Sequence, residues 1–204
     1  MTPLQRWSRR ATAGLLACAL PALAQPALMK PALAQPGPPA GVAAYACQAG
    51  EALFLLALDP APGRGAWGHL GGRAEPGEAP LQTALRELHE ESNCSVAPTE
   101  AALARATGPS VAAGSRFHTF VVEVPHVPVG LIAQPRRCND VEREQWVWVA
   151  HTDLMTALDA PGHPAPVREG SRASVPLWQP AWRSLRQARD EGVLPRQDPC
   201  RPGQ

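Results

Sequence analysis

Between Gly71 and Cys94 the chain reads GGRAEPGEAPLQTALRELHEESNC, and Glu87, Glu90 and Glu91 stand in it at offsets of zero, three and four. On a helix that spacing brings all three carboxylates onto one face within about one turn. Apolar Leu81, Ala84, Leu85 and Leu88 recur at i, i+3, i+4 and i+7, which predicts a separate buried stripe on the same helix. Pro80 suits the first helical position, where a missing N–H costs nothing. Asn93 tolerates the left-handed backbone that ends a helix. The stretch therefore predicts a glycine loop, an amphipathic helix of about three turns, and a stop.

Carboxylates crowded onto one turn repel each other and raise each other's pKa. Arg86, four residues before Glu90, offsets part of this. A hard divalent cation offsets more, because Mg²⁺ takes carboxylate oxygens and keeps several waters. The alternative is an ordinary solvated acidic face, and the residues upstream decide between the two. Gly72, five residues, Glu78, seven residues and then Arg86-Glu87-Leu88-His89-Glu90-Glu91 resembles the Nudix box, GX5EX7REUXEEXGU. Six defined letters match, with Leu88 and Cys94 in the apolar places. At roughly one in fifteen per residue, six matches arise by chance about once in ten million windows. Asn93 replaces the second glycine of the box. Asn is the best non-glycine residue at positive φ, so the turn is expected to survive.

The resemblance implies an α/β fold: a Nudix-type α/β/α sandwich with a mixed sheet, the box forming the catalytic loop and helix. By position, Glu87, Glu90 and Glu91 would hold one or more Mg²⁺ or Mn²⁺ ions, with the Gly71 carbonyl as a further ligand. Gly72 and Glu78 would shape and support the loop, and Arg86 would orient the acidic cluster. The family cleaves nucleoside diphosphates linked to another group, by attack of water on phosphorus. A carboxylate takes the proton, and the candidates are Glu90 or the loop residues Glu142 and Glu144. Arg136 and Arg137 could fork onto phosphate, although paired surface arginines usually do nothing specific. Pro109, 15 residues past Cys94, stands near where ADP-ribose-cleaving members carry a proline, a slight lean toward ADP-ribose or a nucleotide sugar. A catalytically silent Nudix-fold module that binds nucleotide or a protein partner is the rival reading. The departures at Asn93 and at His69-Leu70, where many members have Leu-Pro, motivate it.

Elsewhere the chain is informative mainly by exclusion. A net charge of +1 offers no electrostatic footprint for nucleic acid or an anionic membrane, and the partner the resemblance implies is a small nucleotide. No stretch reaches the roughly 18 apolar residues of a membrane span. The six histidines show no zinc spacing, and His89 falls in the free position of the box. There is no P-loop, no GxGxxG and no nucleophile triad signature.

Arg6, Arg9 and Arg10 before the apolar run Ala11–Leu20 form an export signal. Ser8-Arg9-Arg10 resembles a twin-arginine signal, with a Sec signal as the alternative. Leu15-Leu16-Ala17-Cys18 resembles a lipoprotein box, a minor possibility for anchoring at Cys18, and a mis-assigned start would leave the protein cytoplasmic. Two copies of PALAQP follow, too short and Pro-rich to pack. The expected organisation is a signal peptide at 1–24, a linker at 25–41, the Nudix domain at 42–192 and a tail at 193–204. An exported chain is expected to be periplasmic or secreted. Its four cysteines beyond the signal, Cys47, Cys94, Cys138 and Cys200, would allow two disulfides in any of three pairings.

Strands are expected at 42–48 and 52–57 around a glycine-containing turn, from 95, at 116–124 and at 146–150. Residues 100–106 read as helix or loop. Thr152 or Asp153 would cap a short helix to Leu158, and a last helix spans 180–189. Trp67 reads as a packing residue, and Trp178, Trp182 and Leu185 are available to pack the last helix.

Overall fold

A computed structural model describes residues 36–61, 64–134, 138 and 143–201. The export signal, the PALAQP repeat, Arg136, Arg137 and Glu142 lie outside the described residues. The described residues all belong to one compact unit, Leu33–Gln204.

The centre is a mixed sheet. Strands β1 (Ala40–Gln48) and β2 (Glu51–Asp59) form a hairpin closed by Ala49 and Gly50, both at positive φ (51° and 76°). Positive φ at both turn residues matches the right-handed twist of the flanking strands. Short strands β3 (Ala66–Gly68) and β4 (Leu70–Gly72) follow. Later come β5 (Thr107–Val111), β6 (His118–Glu123) and β7 (Trp146–Ala150). The order is β3-β2-β1-β6-β5, with β4 also on β1 and β7 also on β2. Only β1 and β6 run parallel; the other pairs are antiparallel. A separate pair, β8 (Ala165–Pro166) and β9 (Ser174–Val175), lies in the stretch read as irregular.

The apolar runs of β2 and β7 are near-continuous because both faces of the sheet are covered. Leu53, Leu55, Ala57, Trp146 and Trp148 point into one core, with Ala84 and Leu88 of α1 (Pro80–Glu91). That core also holds Ile132 of α3 (Val129–Ile132), with Leu103 of α2 (Glu100–Leu103) packed against it. Phe54, Leu56, Val147 and Val149 point into the other, with Leu154 and Leu158 of α4 (His151–Asp159) and Trp182 and Leu185 of α5 (Gln179–Asp190). This is the expected α/β/α sandwich.

Local readings differ in places. No strand forms at 95–97; those residues are irregular, and the strand feeding β6 is β5. The cap of α4 is Ala150, with no side-chain cap bond, because β7 runs directly into the helix. Residues 193–201, read as a tail, pack onto the domain: Leu194 is fully buried and Cys200 is bonded to Cys47. The second disulfide joins Cys94 to Cys138.

Candidate active site

Helix α1 carries the acidic residues, and its buried face holds Ala84 and Leu88 of the expected stripe but reaches beyond it. Thr83, Ala84, Glu87, Leu88 and Glu91 are buried, while Leu81 and Leu85 are only half-buried. Two of the three carboxylates are therefore turned inward onto the loop ahead of the helix, with Glu91 1% exposed. An unpaired buried carboxylate is costly, and the loop and β-strands supply its partners.

The Gly71 amide donates to Glu91 Oε2 (2.7 Å), and Arg143 Nη2 lies 2.5 Å from Glu91 Oε1. Trp146 Nε1 donates to the Glu91 carbonyl (2.7 Å), fastening the end of α1 to β7. Burial pushes the Glu91 carboxyl up to about 7, against the opposing pull of Arg143. Gly72 sits over Glu87: a side chain at position 72 would fall on the Glu87 carboxylate. Gly71 pairs with Gly41 across β1 and β4, where either side chain would strike the opposite backbone. The two loop glycines are thus needed for close approach, which is what brings the loop backbone to the acids.

Arg86 ties the loop to the helix. Its Nε donates to Glu78 Oε1 (2.8 Å), Nη1 to Glu90 Oε2 (2.7 Å) and Nη2 to the Arg73 carbonyl (2.8 Å), with Glu87 3.1 Å away. Glu78 also accepts from Thr83 Oγ1 (2.9 Å) and the Glu75 amide (2.8 Å). The Arg86 hydrogen bond, aided by the Glu75 amide, holds the Glu78 carboxyl down to about 2. Glu90 is the most accessible of the three helix acids, its side chain 40% exposed against 8% for Glu87.

The helix ends as expected, with Asn93 at φ 55°, and the substitution for glycine has an added role. Asn93 Nδ2 donates to the carbonyls of Ile132 and Gln134, both at 2.9 Å, so it binds the next segment to the helix end.

A cleft of about 510 Å³ opens onto Glu87 and Glu91, lined also by Gly71, Gly72, Asp59, Arg64, Arg73 and Arg143. Asp59, at the end of β2, pairs with Arg64 (2.9 Å) and Arg143 (3.4 Å). Burial raises its carboxyl, but the Arg64 hydrogen bond, the Ala61 amide and the charge of Arg143 outweigh that and lower it. Glu144 is exposed and lines neither this cleft nor the cavity beside it; its neighbour Arg143 does both. Trp67 is buried in the core, as expected of a packing residue. Pro109 is exposed on β5, also outside both linings.

Asp59, Arg64, Arg73 and Arg143 escaped the sequence reading. The only local cue was Arg143 placed between two acids just before an apolar strand; the others meet at the cleft solely through strand pairing.

The donor set suits a hard divalent cation: clustered carboxylates beside loop backbone, with no thiol or imidazole among the lining residues. Glu91 Oε1 is buried against the Arg143 guanidinium, and a carboxylate oxygen has a second lone pair to offer a cation.

The sequence profile of the NUDIX domain family matches residues 37–169, well over half of the chain. The chain belongs to the NUDIX family. It is a hydrolase acting on phosphoanhydride bonds. Among solved structures, a C. elegans Ap4A hydrolase is similar at 25% identity and a TM-score of 0.40, covering 60% of this chain and 85% of that one. The Nudix hydrolase RenU of M. smegmatis is similar at 18% identity and 0.44, covering 76% and 86%. A UDP-X diphosphatase is similar at 15% and 0.44, covering 81% and 64%. No curated protein matches the sequence.

Proposed function

We propose that this Nudix hydrolase is a Mg²⁺- or Mn²⁺-dependent pyrophosphohydrolase, cleaving the diphosphate of a nucleoside diphosphate linked to a second group. The observation that carries the reading is the burial of Glu87 and Glu91 beneath Gly71 and Gly72, at the floor of a cleft walled by Arg64, Arg73 and Arg143. Glu87, Glu90 and Glu91, with the Gly71 carbonyl, would hold the cation. When bound, it neutralises the diphosphate and acidifies a water.

The chain's own residues do the rest. Arg86 holds Glu90, Glu87 and Glu78 in register, and the cleft arginines bind and orient the diphosphate oxygens. Water attacks one phosphorus, the bond from that phosphorus to the bridging oxygen breaks, and the leaving phosphate departs as an anion. Glu90, half-buried and held by Arg86 on one oxygen, is the base that takes the proton from the attacking water. The loop glutamates Glu142 and Glu144 are the alternative bases.

We further propose that the protein is exported, which favours an extracytoplasmic substrate such as a nucleotide sugar. The arginine-led apolar N-terminus supports this, as do disulfides that use all four cysteines beyond the signal. No helix among the described residues is long and apolar enough to cross a membrane.

The test is phosphate release, with phosphatase added, from ADP-ribose, a nucleotide sugar, a dinucleoside polyphosphate, NADH and a nucleoside triphosphate, with and without Mg²⁺. Metal-dependent cleavage of a diphosphate-linked nucleotide, abolished by Glu90→Gln, is expected. Silence across the panel from folded protein that binds Mg²⁺ would refute the reading.

A further inference from the structure

The end of α1 is tied to the stretch that leads into β7 at four places. Asn93 holds the Ile132 and Gln134 carbonyls, and Cys94 is bonded to Cys138. Glu91 Oε1 takes Arg143 Nη2 (2.5 Å), and the Glu91 carbonyl takes Trp146 Nε1 (2.7 Å). The disulfide is the covalent tie of the four. Along the sequence Cys138 falls four residues after Gln134 and five before Arg143.

Arg143 is what this stretch brings to the site. The acidic cleft and the cavity of about 460 Å³ beside it share Arg143 with Asp59, Arg64, Gly71, Gly72 and Arg73, so they form one groove with an acidic and an apolar end. The Arg143 side chain is 14% exposed, with Nη1 3.4 Å from Asp59 and a buried Nε that has no hydrogen-bond partner. The guanidinium is thus held by its two tips, and its aim depends on where its backbone is anchored. The apolar end does not depend on this stretch. Residues 112–117 and the start of α5 wall it, and Gln187 of α5 clamps the two together, donating to the Val111 carbonyl (2.9 Å) and accepting from the Ala113 amide (2.7 Å).

The Cys94–Cys138 bond is also placed for exchange. Cys94 is only half-buried. Asn93 and Cys94, both at positive φ (55° and 54°), turn the chain back so that the Cys94 amide donates to the His89 carbonyl (2.8 Å). His89, exposed at the free position of the box, is thereby brought to the pair: a ring nitrogen and both sulfurs lie within 4.8 Å of one another. A polar ring solvates the thiolate that leaves, and exchange needs an approachable sulfur and a stabilised leaving group. The second disulfide, Cys47–Cys200, fastens the C-terminal residues to β1, and neither of its cysteines lines the groove.

We infer that Cys94–Cys138 is a thiol-exchange site for a dithiol, whose action frees Arg143 and weakens the groove's hold on a diphosphate. One thiolate of the dithiol attacks Cys94 Sγ, the bond to Cys138 breaks, and Cys138 leaves as a thiolate that takes up a proton. The second thiol of the reagent gives up its proton and attacks the mixed disulfide, releasing Cys94, which is protonated in turn. The dithiol is oxidised to its disulfide, and the protein gains two electrons and two protons. The consequence for diphosphate binding rests on the hydrolase reading above.

The test compares the wild type, Cys47→Ser/Cys200→Ser and Cys94→Ser/Cys138→Ser, each with and without dithiothreitol. Alkylation and mass spectrometry count the free thiols, and amide hydrogen exchange reads the backbone. In the wild type and in Cys47→Ser/Cys200→Ser, the dithiol should speed exchange across residues 138–146 about tenfold or more, while β1, β2 and α5 hold. Cys94→Ser/Cys138→Ser should exchange fast there from the start and not respond, which reads the same difference if the other variant does not fold. Affinity for methylenediphosphonate, a diphosphate that is not hydrolysed, should fall about tenfold on reduction, as for the loss of roughly one charge-assisted hydrogen bond. Oxidation with diamide should restore it. Thiols at Cys94 and Cys138 that never become alkylatable, exchange at 138–146 that reduction leaves unchanged, a rise spread evenly over the whole fold, or an unchanged diphosphonate affinity would each overturn the inference. Absence of hydrolysis in both redox states would count against the hydrolase reading and leave the exchange result standing.

Discussion

At the acidic end of the groove Gly71, Gly72, Arg73, Glu87 and Glu91 come from one contiguous stretch, joined by Asp59, Arg64 and Arg143, while its apolar end gathers residues 112–117 and Trp178–Ser184 from across the chain. The first is tied by charge: Arg86 alone spans Glu78, Glu90 and the Arg73 carbonyl. The second is tied by backbone hydrogen bonds and the Gln187 clamp, with small and aromatic side chains facing the space. Residues that must place charge to within a fraction of an ångström are held by short local links. Residues that select a ligand by shape can come from elements far apart in sequence, and can change without disturbing the chemistry.

If that division is real, substitutions at the two ends should fail differently. The largest effect is expected for Glu91→Gln, which keeps the shape but removes a buried carboxylate from the metal cluster. Turnover should fall about 10³-fold, while nucleotide monophosphate affinity stays within about twofold; steady-state kinetics and titration together read both. A parallel loss of affinity would show that the two ends are not separable.

At the other end, Gln187→Ala releases the 112–113 backbone from α5. Two hydrogen bonds of about 1 kcal/mol each are lost, and the loop wall loosens. KM should rise about tenfold with kcat changed less than twofold. An equal fall in kcat would place this loop in the chemistry instead.

A smaller effect is expected where the box departs from its family pattern. Asn93→Gly restores the family letter and relieves positive φ, worth about 1 kcal/mol. It also removes two hydrogen bonds to the Ile132 and Gln134 carbonyls, about 1 kcal/mol each and more where a carbonyl is left buried. The net should be destabilisation by about 1 kcal/mol, read from urea unfolding. A more stable Asn93→Gly protein would mean the side chain contributes nothing beyond its tolerance of the turn.

Much of the acidic end could be read from the sequence, because it depends on relationships within a few residues. The 0, 3, 4 spacing of Glu87, Glu90 and Glu91, the position of Gly72 and the helix stop at Asn93 are all local geometry. Near-continuous apolar runs likewise made β2 and β7 legible, and the glycine-containing turn marked the hairpin of β1 and β2. The direction of the acidic face was not: of the stripe Leu81, Ala84, Leu85 and Leu88 only Ala84 and Leu88 are fully buried, and Glu87 and Glu91 are buried with them. Partners supplied from elsewhere, the Gly71 amide and Arg143, overcome the cost of burying Glu91, and helix periodicity carries no record of them. Arg143 went unread for the same reason, since its partners Asp59 and Glu91 lie far away in the sequence.

The sequence by itself determined the family, the loop–helix that carries the acids, the layered α/β class and the presence of enough cysteines for two disulfides. Only the tertiary structure decided which cysteines pair, which carboxylates go inside, and that Trp178 meets Arg64 over an open slot. The physical reason is range. Helix spacing, turn chemistry and strand alternation act between neighbours and leave a periodic trace. A cleft between β2, β4, the 112–117 loop and α5 depends on strand order and on how closely backbones approach at glycines such as Gly68 and Gly71, and those distances have no period along the chain.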